Sequence, residues 1–153
     1  MVNPISFVSD FGLAGLLLIT FLSGSIVPLP SDPAILLALS LFNPLYVFVF
    51  AWLGLTLGAI TNYFIGLKGL HNFLVKRTPG KERKGQRIMK RWGPLILIVA
   101  PFLPFIGDPL FIVAGSLKMN FKKFLIFTAV AITIRVSVSV FAGGFILDYL
   151  KFL

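Results

Sequence analysis

Three ionisable residues lie within stretches that are otherwise suited to a membrane interior. Asp32 and Asp108 each precede a proline, and Arg135 lies near the middle of the apolar stretch 121–148. Charged side chains within a membrane are costly and usually mark a substrate site, a proton pathway or a buried ion pair. We therefore take Asp32, Asp108 and Arg135 as candidates for a substrate and proton site.

The chemistry open to these side chains is anion binding and proton exchange. The guanidinium of Arg135 stays charged and matches phosphate in a bidentate fork. Burial in a low-dielectric interior favours the protonated form of a carboxyl group, so the aspartates could exchange protons for substrate, as a coupled pair if they face each other. Two simpler interpretations stay open: Arg135 forms an ion pair with one aspartate, or the aspartates only cap helices.

Each aspartate lies where a predicted helix begins. It is a capping residue followed by proline, which is favoured at the first helical position. Helix N-termini carry partial positive charge and free N–H groups, so two such ends that meet within the membrane would suit a phosphate group. The residues assigned to these two tips are Pro28, Pro30, Ser31, Pro33, Pro104, Gly107 and Pro109.

An internal repeat places both aspartates in the same context. The segment 28–41, PLPSDPAILLALSL, returns 76 residues later as 104–117, PFIGDPLFIVAGSL, with six of fourteen positions identical. Aspartate occurs only four times in the chain, and two of the four fall in this repeat. The repeat therefore predicts a core built from two equivalent segments.

The composition indicates a polytopic membrane protein. Of the 153 residues, 58% are hydrophobic and 12% are charged, and the mean hydropathy is +0.98; soluble domains usually carry about a quarter charged residues. With no cysteine and one histidine, the chain is expected to hold no disulfide, metal or other cofactor. No catalytic triad or nucleotide-binding glycine loop is recognisable, so neither an enzyme nor an ATP-driven pump is predicted.

The net charge of +9 is concentrated in one segment. Nine of the fourteen basic residues lie between positions 68 and 91, and apolar sequence flanks them on both sides. This distribution is typical of a cytoplasmic loop and not of a nucleic-acid-binding surface. It predicts a multi-pass protein of a cell membrane, most simply a prokaryotic plasma membrane. Lys68, Arg91 and Lys118 are the candidates for contact with lipid headgroups.

Two continuous transmembrane helices are predicted, over 45–67 and 121–148. In the first, Gly54 and Gly58 have the GxxxG spacing that lets another helix approach closely. Asn62 lies near the same face and would be costly against lipid, so we expect this face to look into the protein and include Asn62 in the candidate site.

Shorter apolar segments predict two re-entrant hairpins. The arms 93–107 and 109–117 each fall short of the roughly 20 residues that a span needs, and basic clusters flank the pair on both sides. The arms 11–26 and 33–42 have similar proportions. The alternative is that the second hairpin crosses the bilayer, which would place the lysines that follow it outside.

The predicted fold is an all-α polytopic membrane protein with inverted repeats, each a re-entrant helical hairpin followed by a transmembrane helix. Repeat one covers about 11–67, the basic cytoplasmic loop covers 68–91, and repeat two covers about 92–148, within a single membrane domain. Inverted repeats with broken helices are the architecture of many secondary transporters.

Three segments, VPLPSDPAILLALSL, GLTLGAITNYFIG and RWGPLILIVAPFLPFIGDPLFIVAGSLKMNFKKF, resemble in this order the DedA superfamily, also called the VTT or SNARE-associated Golgi protein family. The Gly-Asp-Pro motif and Arg135 are most similar to its YqaA-like branch. Asp32 stands where the family usually has glutamate, and Pro101 and Gly107 stand where its second hairpin carries arginines. Asp108 and Arg135 are therefore the candidate replacements.

The resemblance implies two hairpins that face each other and a role in moving lipids. The predicted function is transport of a polyprenyl-phosphate carrier or a phospholipid between leaflets, with proton coupling as an option. The expected partners are membrane lipids and protons, without nucleic acid, and self-association stays open. A carrier of small ions or polar solutes and a non-transporting membrane scaffold are the alternatives.

Overall fold

The structure, a computed structural model, describes residues 4–25, 31–68, 81–102 and 107–152. These residues form helices joined by short turns and contain no β-strand. Six of the helices have ten residues or more: α1 (Pro4–Ser23), α2 (Asp32–Leu41), α3 (Pro44–Leu67), α4 (Lys81–Trp92), α5 (Gly107–Ser116) and α6 (Phe121–Phe152).

Two of these helices, α3 and α6, are long and apolar enough to cross a membrane, over Pro44–Leu67 and Phe121–Tyr149. They match the two predicted spans to within one residue, so the described part of the chain is all-helical and has two candidate transmembrane helices. An asparagine caps each of them. Asn43 Oδ1 accepts the Leu45 N–H at 2.9 Å, and Asn120 Oδ1 accepts the Lys122 N–H at 3.0 Å, which satisfies backbone donors that a helix start leaves unpaired.

The chain divides into two compact units, one of residues 1–57 and 133–153 and one of residues 58–132. In the first unit α1 packs against α2 and against the early part of α3. A Cβ added at Gly54 would lie 2.0 Å from Thr20 Oγ1 and 2.7 Å from the Leu17 carbonyl oxygen. Gly54 therefore permits the close helix approach that its sequence spacing predicts.

Helix α1 contains a kink at Gly12, where φ is 59° and ψ is −135°. This conformation favours glycine because a residue with a Cβ would be strained there. The kink divides an N-terminal segment from the descending arm that the sequence predicts to begin at residue 11. A Cβ at Gly12 would also lie 3.3 Å from the ring of Phe42.

In the second unit the last turns of α3 and α5 lie in backbone contact. A Cβ at Gly66 would lie 1.9 Å from the Ile112 carbonyl oxygen, and one at Gly115 would lie 1.9 Å from the Tyr63 carbonyl oxygen. The Tyr63 hydroxyl donates a hydrogen bond to the Met119 carbonyl oxygen beyond α5. The C-terminal ends of α3 and α5 are thus held side by side.

An aromatic cluster fills the core beside this contact. The buried Phe124 ring lies 4.6 Å from the ring of Tyr63 and 5.8 Å from that of Phe111, measured between centroids. Such pairs add roughly 0.5–1.5 kcal/mol beyond the burial of their apolar area. They join α3, α5 and the start of α6 into one packed unit.

The segment predicted as the descending arm of the second hairpin is broken, as its prolines predict. It consists of a 3₁₀ turn (Gly93–Leu95), one α-helical turn (Ile96–Val99) and a second 3₁₀ turn (Ala100–Phe102). Gly93 begins this arm with a φ of 56°.

Within each unit, a glycine of a long helix lies against a segment of the sequence repeat. In the second unit Gly66 of α3 lies against Ile112 of α5, and in the first unit Gly143 of α6 lies against Leu36 of α2. Leu36 and Ile112 are 76 residues apart, the offset of the repeat. In each unit the segment predicted as the returning arm of a hairpin therefore packs on a glycine of a long helix.

The basic segment 68–91 contains a helix. Residues 81–92 form α4, which packs against α5, and the cytoplasmic location of the segment stays a prediction. Basic side chains are good helix formers, and the apolar Met89 among them is buried.

Candidate functional site

Two of the three candidate charged residues come together in the first unit. Arg135 Nη2 lies 3.9 Å from Asp32 Oδ2 and donates a hydrogen bond of 3.5 Å to Ser31 Oγ. Ser139 Oγ donates to the other carboxylate oxygen, Asp32 Oδ1, at 3.3 Å. The cluster thus combines one cation, one anion and two hydroxyl groups, and we call Ser31, Asp32, Arg135 and Ser139 the Asp32–Arg135 cluster.

The cluster lies where the start of α2 meets the middle of α6. Arg135 and Ser139 are four residues apart and therefore share one face of α6. A Cβ at Gly143, four residues further on, would lie 2.8 Å from methyl groups of Leu36 and Leu39 in α2. The small residue at 143 lets α2 approach α6 closely enough for the polar contacts to form.

Helix α2 begins one residue earlier than its sequence suggests. Asp32 is the first helical residue, Ser31 is the N-cap, and the Ser31 side chain makes no capping hydrogen bond. The prediction of Asp32 as the cap is therefore wrong in position. The Ser31 hydroxyl accepts from Arg135 instead, and the Asp32 carboxylate accepts from Ser139.

The exposure of the cluster is uneven. Ser31 is buried, whereas 28% of the Arg135 side-chain surface and 61% of that of Asp32 are accessible. Within the described part of the chain, the polar contacts of the guanidinium all pass through Nη2. A distance of 3.9 Å is too long for a hydrogen bond. The ion pair is thus loose, and the remaining guanidinium donors can serve an anionic ligand.

The second unit holds the other candidate residues. Asp108 lies in the first turn of α5 and is partly buried, and Asn62 is fully buried in α3. Asp32 belongs to the first unit and Asp108 to the second, and a pairing of the two stays a prediction. Thr128, seven residues before Arg135 on α6, is buried in this unit as well.

Gly107 explains a departure from the resembled family. A Cβ at this position would lie 2.3 Å from the Ala100 carbonyl oxygen. The backbone of the descending arm therefore leaves no room for any side chain at 107, where the family pattern has an arginine. Pro101 lies in the second 3₁₀ turn of the same arm.

The remaining predicted residues are those assigned to the two hairpin tips and three basic residues expected at the surface. Pro28, Pro30 and Pro104 lie outside the described residues. Pro33 and Pro109 occupy the first turns of α2 and α5. Lys68, Arg91 and Lys118 are all exposed. Among the described side chains, no group of three His, Cys, Asp or Glu residues could hold a metal ion.

Sequence reasoning missed one polar contact within the first unit. Trp52 Nε1 donates a hydrogen bond of 2.8 Å to Thr133 Oγ1. The only available signal was the position of each polar atom near the middle of a predicted span, where it needs a partner. This bond joins α3 to α6. On α6 it lies two residues before Arg135 and one helical turn before Ser137.

Comparison with known proteins identifies one family and one relative. The VTT domain matches residues 29–145 of the chain. An uncharacterized protein of Methanocaldococcus jannaschii is 26% identical over 124 residues, which cover 80% of this chain and 78% of that protein. No solved structure matches the chain.

Proposed function

Because the chain belongs to the VTT domain family, a family of membrane proteins of transporter type, we propose that it moves a phosphate-bearing lipid between the leaflets of a cell membrane. The observation that carries this proposal is the loose ion pair between Arg135 and Asp32. The pair lies at the N-terminus of α2, in a stretch of sequence apolar enough for a membrane interior. A polyprenyl-phosphate carrier or a phospholipid supplies the phosphate.

The proposed architecture is a pair of inverted repeats with re-entrant hairpins. The side-by-side C-terminal ends of α3 and α5 favour it, because Lys68 and Lys118 directly follow these ends. Placing both lysines on one side of the membrane requires the second hairpin to return to the side that it left. By the distribution of basic residues that side is the cytoplasm.

Arg135 is the proposed phosphate ligand. Its guanidinium contacts Asp32 through a single nitrogen at long range, so a phosphate could bind the remaining donors without removing a strong native interaction. The N–H groups at the start of α2 add partial positive charge next to it. Ser31 and Ser139 supply further hydroxyl groups for the phosphate oxygens.

Asp32 is the proposed coupling residue. While it is ionised, it competes with phosphate for Arg135. Loss of that negative charge would leave the guanidinium to the substrate phosphate. Proton uptake and lipid phosphate binding would then favour each other at this cluster, which is the requirement for coupled transport.

The test is a leaflet-exchange assay with purified protein in liposomes, with labelled polyprenyl phosphate and labelled phospholipid in parallel. Asp32→Asn should remove the dependence of exchange on pH, whereas Asp10→Asn, a matched loss of an exposed carboxylate on α1, should not. Arg135→Lys keeps the positive charge but loses the bidentate geometry of the guanidinium. The rate of lipid exchange should therefore fall about tenfold, the effect expected from the loss of one charge-assisted hydrogen bond.

Several outcomes would contradict the proposal. If the parent protein exchanges neither lipid, the chain is not a lipid transporter, and uptake of small solutes becomes the next function to test. If Asp32→Asn and Asp108→Asn both behave like the parent at every pH, proton coupling is wrong. If Arg135→Lys exchanges polyprenyl phosphate at the parental rate, Arg135 is not the phosphate ligand.

A further inference from the structure

We propose that the second unit binds a sodium ion at the start of α5. The site is the counterpart of the Asp32–Arg135 cluster, with an external cation in the place of a guanidinium. Its proposed ligands are side-chain oxygen atoms of Asp108, Asn62 and Thr128, which all belong to the second unit. The inference concerns ion binding alone, so it does not depend on the proposed lipid transport.

The first unit shows how such a site is built. Gly143 of α6 lies against Leu36 of α2. One helical turn earlier on both helices, Ser139 Oγ donates a hydrogen bond to Asp32. Two turns before Gly143, Arg135 supplies the cation, 3.9 Å from the same carboxylate. The start of a short helix therefore accommodates a carboxylate together with a cation in this fold.

The second unit has a related contact, which brings Asn62 towards Asp108. Gly66 of α3 lies against Ile112 of α5, and this contact is the closer one because it involves backbone atoms. Asn62 and Asp108 each lie one turn before a residue of this contact. By the relation seen in the first unit, the Asn62 side chain therefore lies beside the Asp108 carboxylate at the start of α5.

The apolar segments of the second unit supply no cation of their own. Two turns before Gly66, at the place that corresponds to Arg135, the residue is the buried Gly58. No lysine, arginine or histidine occurs in 58–67, 93–117 or 124–132. Asp108 is partly buried and has an interaction within the chain. A carboxylate has about four acceptor sites, so this interaction leaves others for a cation.

Thr128 brings a buried hydroxyl group to the start of α5. The rings of Phe111 and Phe124 lie 5.8 Å apart between α5 and α6, which a short turn joins as antiparallel helices. One turn from these rings, on the same helix faces, lie Gly107 and Thr128. Thr128 is 1% exposed, and its Oγ1 has no hydrogen-bond partner within the described part of the chain. Such a buried polar atom indicates a ligand.

The three side chains together suit a small cation. Asn62 is fully buried and interacts within the chain, and its Oδ1 accepts no hydrogen bond from the described residues. Carboxylate, amide and hydroxyl oxygens are the ligands that hard cations prefer. A single carboxylate matches a single positive charge, and the ion must be small because Gly107 and Leu110 beside it are buried. A water molecule would gain less from the carboxylate charge.

The test compares full-length protein in detergent with sodium chloride and with choline chloride at equal concentration and pH. Sodium at about ten times its Kd should raise the Tm by roughly 3–6 °C, whereas choline is too large for the site. Equilibrium dialysis with radiolabelled sodium should show about one ion bound per chain, the stoichiometry of a single site.

Variants assign the ligands. Asp108→Asn should abolish sodium binding, whereas Asp10→Asn, which removes an exposed carboxylate of α1, should not. Thr128→Val keeps the shape but loses the hydroxyl, so it should weaken binding about tenfold, and Thr128→Ser should restore it. Thr56→Val is the matched control, because the Thr56 hydroxyl is also buried without a described partner but belongs to the first unit.

Equal Tm values in the two salts, or no retained radiolabelled sodium, would overturn the proposal. Parental sodium binding in Asp108→Asn would do the same, and so would equal losses in Thr128→Val and Thr56→Val, which would reflect only a general effect of removing a buried hydroxyl. Neither readout involves lipid movement. A protein that fails the leaflet-exchange assay can still bind sodium, and one that exchanges lipid can fail to bind it.

Discussion

Alanine substitution of the glycines at helix contacts should separate close packing from helix propensity. At Gly66 an added Cβ would lie 1.9 Å from the Ile112 carbonyl oxygen and 3.0 Å from the Ser116 nitrogen. Both are backbone atoms, so relief requires α3 and α5 to move apart. Overpacking of this kind usually costs about 1–3 kcal/mol or more.

Gly144 of α6 provides the matched control. A Cβ there meets nothing within 4 Å, so Gly144→Ala should show only the gain in helix propensity, roughly 0.5–1 kcal/mol. Gly143 should be intermediate. Its Cβ would lie 2.8 Å from methyl groups of Leu36 and Leu39, which are the mobile ends of side chains and can shift.

The expected order of the free energy of unfolding is therefore Gly144→Ala above the parent, Gly143→Ala near the parent, and Gly66→Ala lowest. The difference between the first and the last is about 3 kcal/mol. For a chain of this length that corresponds to roughly 6–12 °C in Tm, measurable by thermal unfolding in detergent. Equal Tm values for Gly66→Ala and Gly144→Ala would refute the backbone contact between α3 and α5.

Three further predictions follow from single contacts. Lys118 has a φ of 52° in the turn after α5, so Lys118→Gly should raise the free energy of unfolding by about 1 kcal/mol. The same substitution removes a cation and should weaken the retention of anionic lipids. A lower free energy of unfolding would contradict the left-handed turn. A double-mutant cycle of Trp52→Phe and Thr133→Val should give a coupling energy of about 1 kcal/mol, and a value near zero would argue against their hydrogen bond. Single cysteines at positions 84 and 122 should be labelled from the same side of the membrane, and labelling from opposite sides would exclude the re-entrant hairpin.

The sequence by itself determined the features that depend on local pattern. The length of the uncharged runs predicted α3 and α6, because a span needs a minimum number of apolar residues. Proline predicted where α2 begins to within one residue, and it predicted that the segment 93–102 is broken into short helical turns. The spacing of Gly54 predicted a close helix contact, since small residues are what such contacts require.

Features that depend on contacts distant in sequence were decided by the tertiary structure. Ser31 and Arg135 are 104 positions apart, and the sequence left open whether Arg135 meets Asp32, Asp108 or a substrate. The chain also folds part of its basic segment into α4, because packing against α5 provides stability that the local charge pattern does not reveal. Position 107 is closed to side chains only because the Ala100 backbone lies against it. Local sequence predicts most of the helical segments, whereas the distances between polar groups on different helices depend on how closely those helices pack.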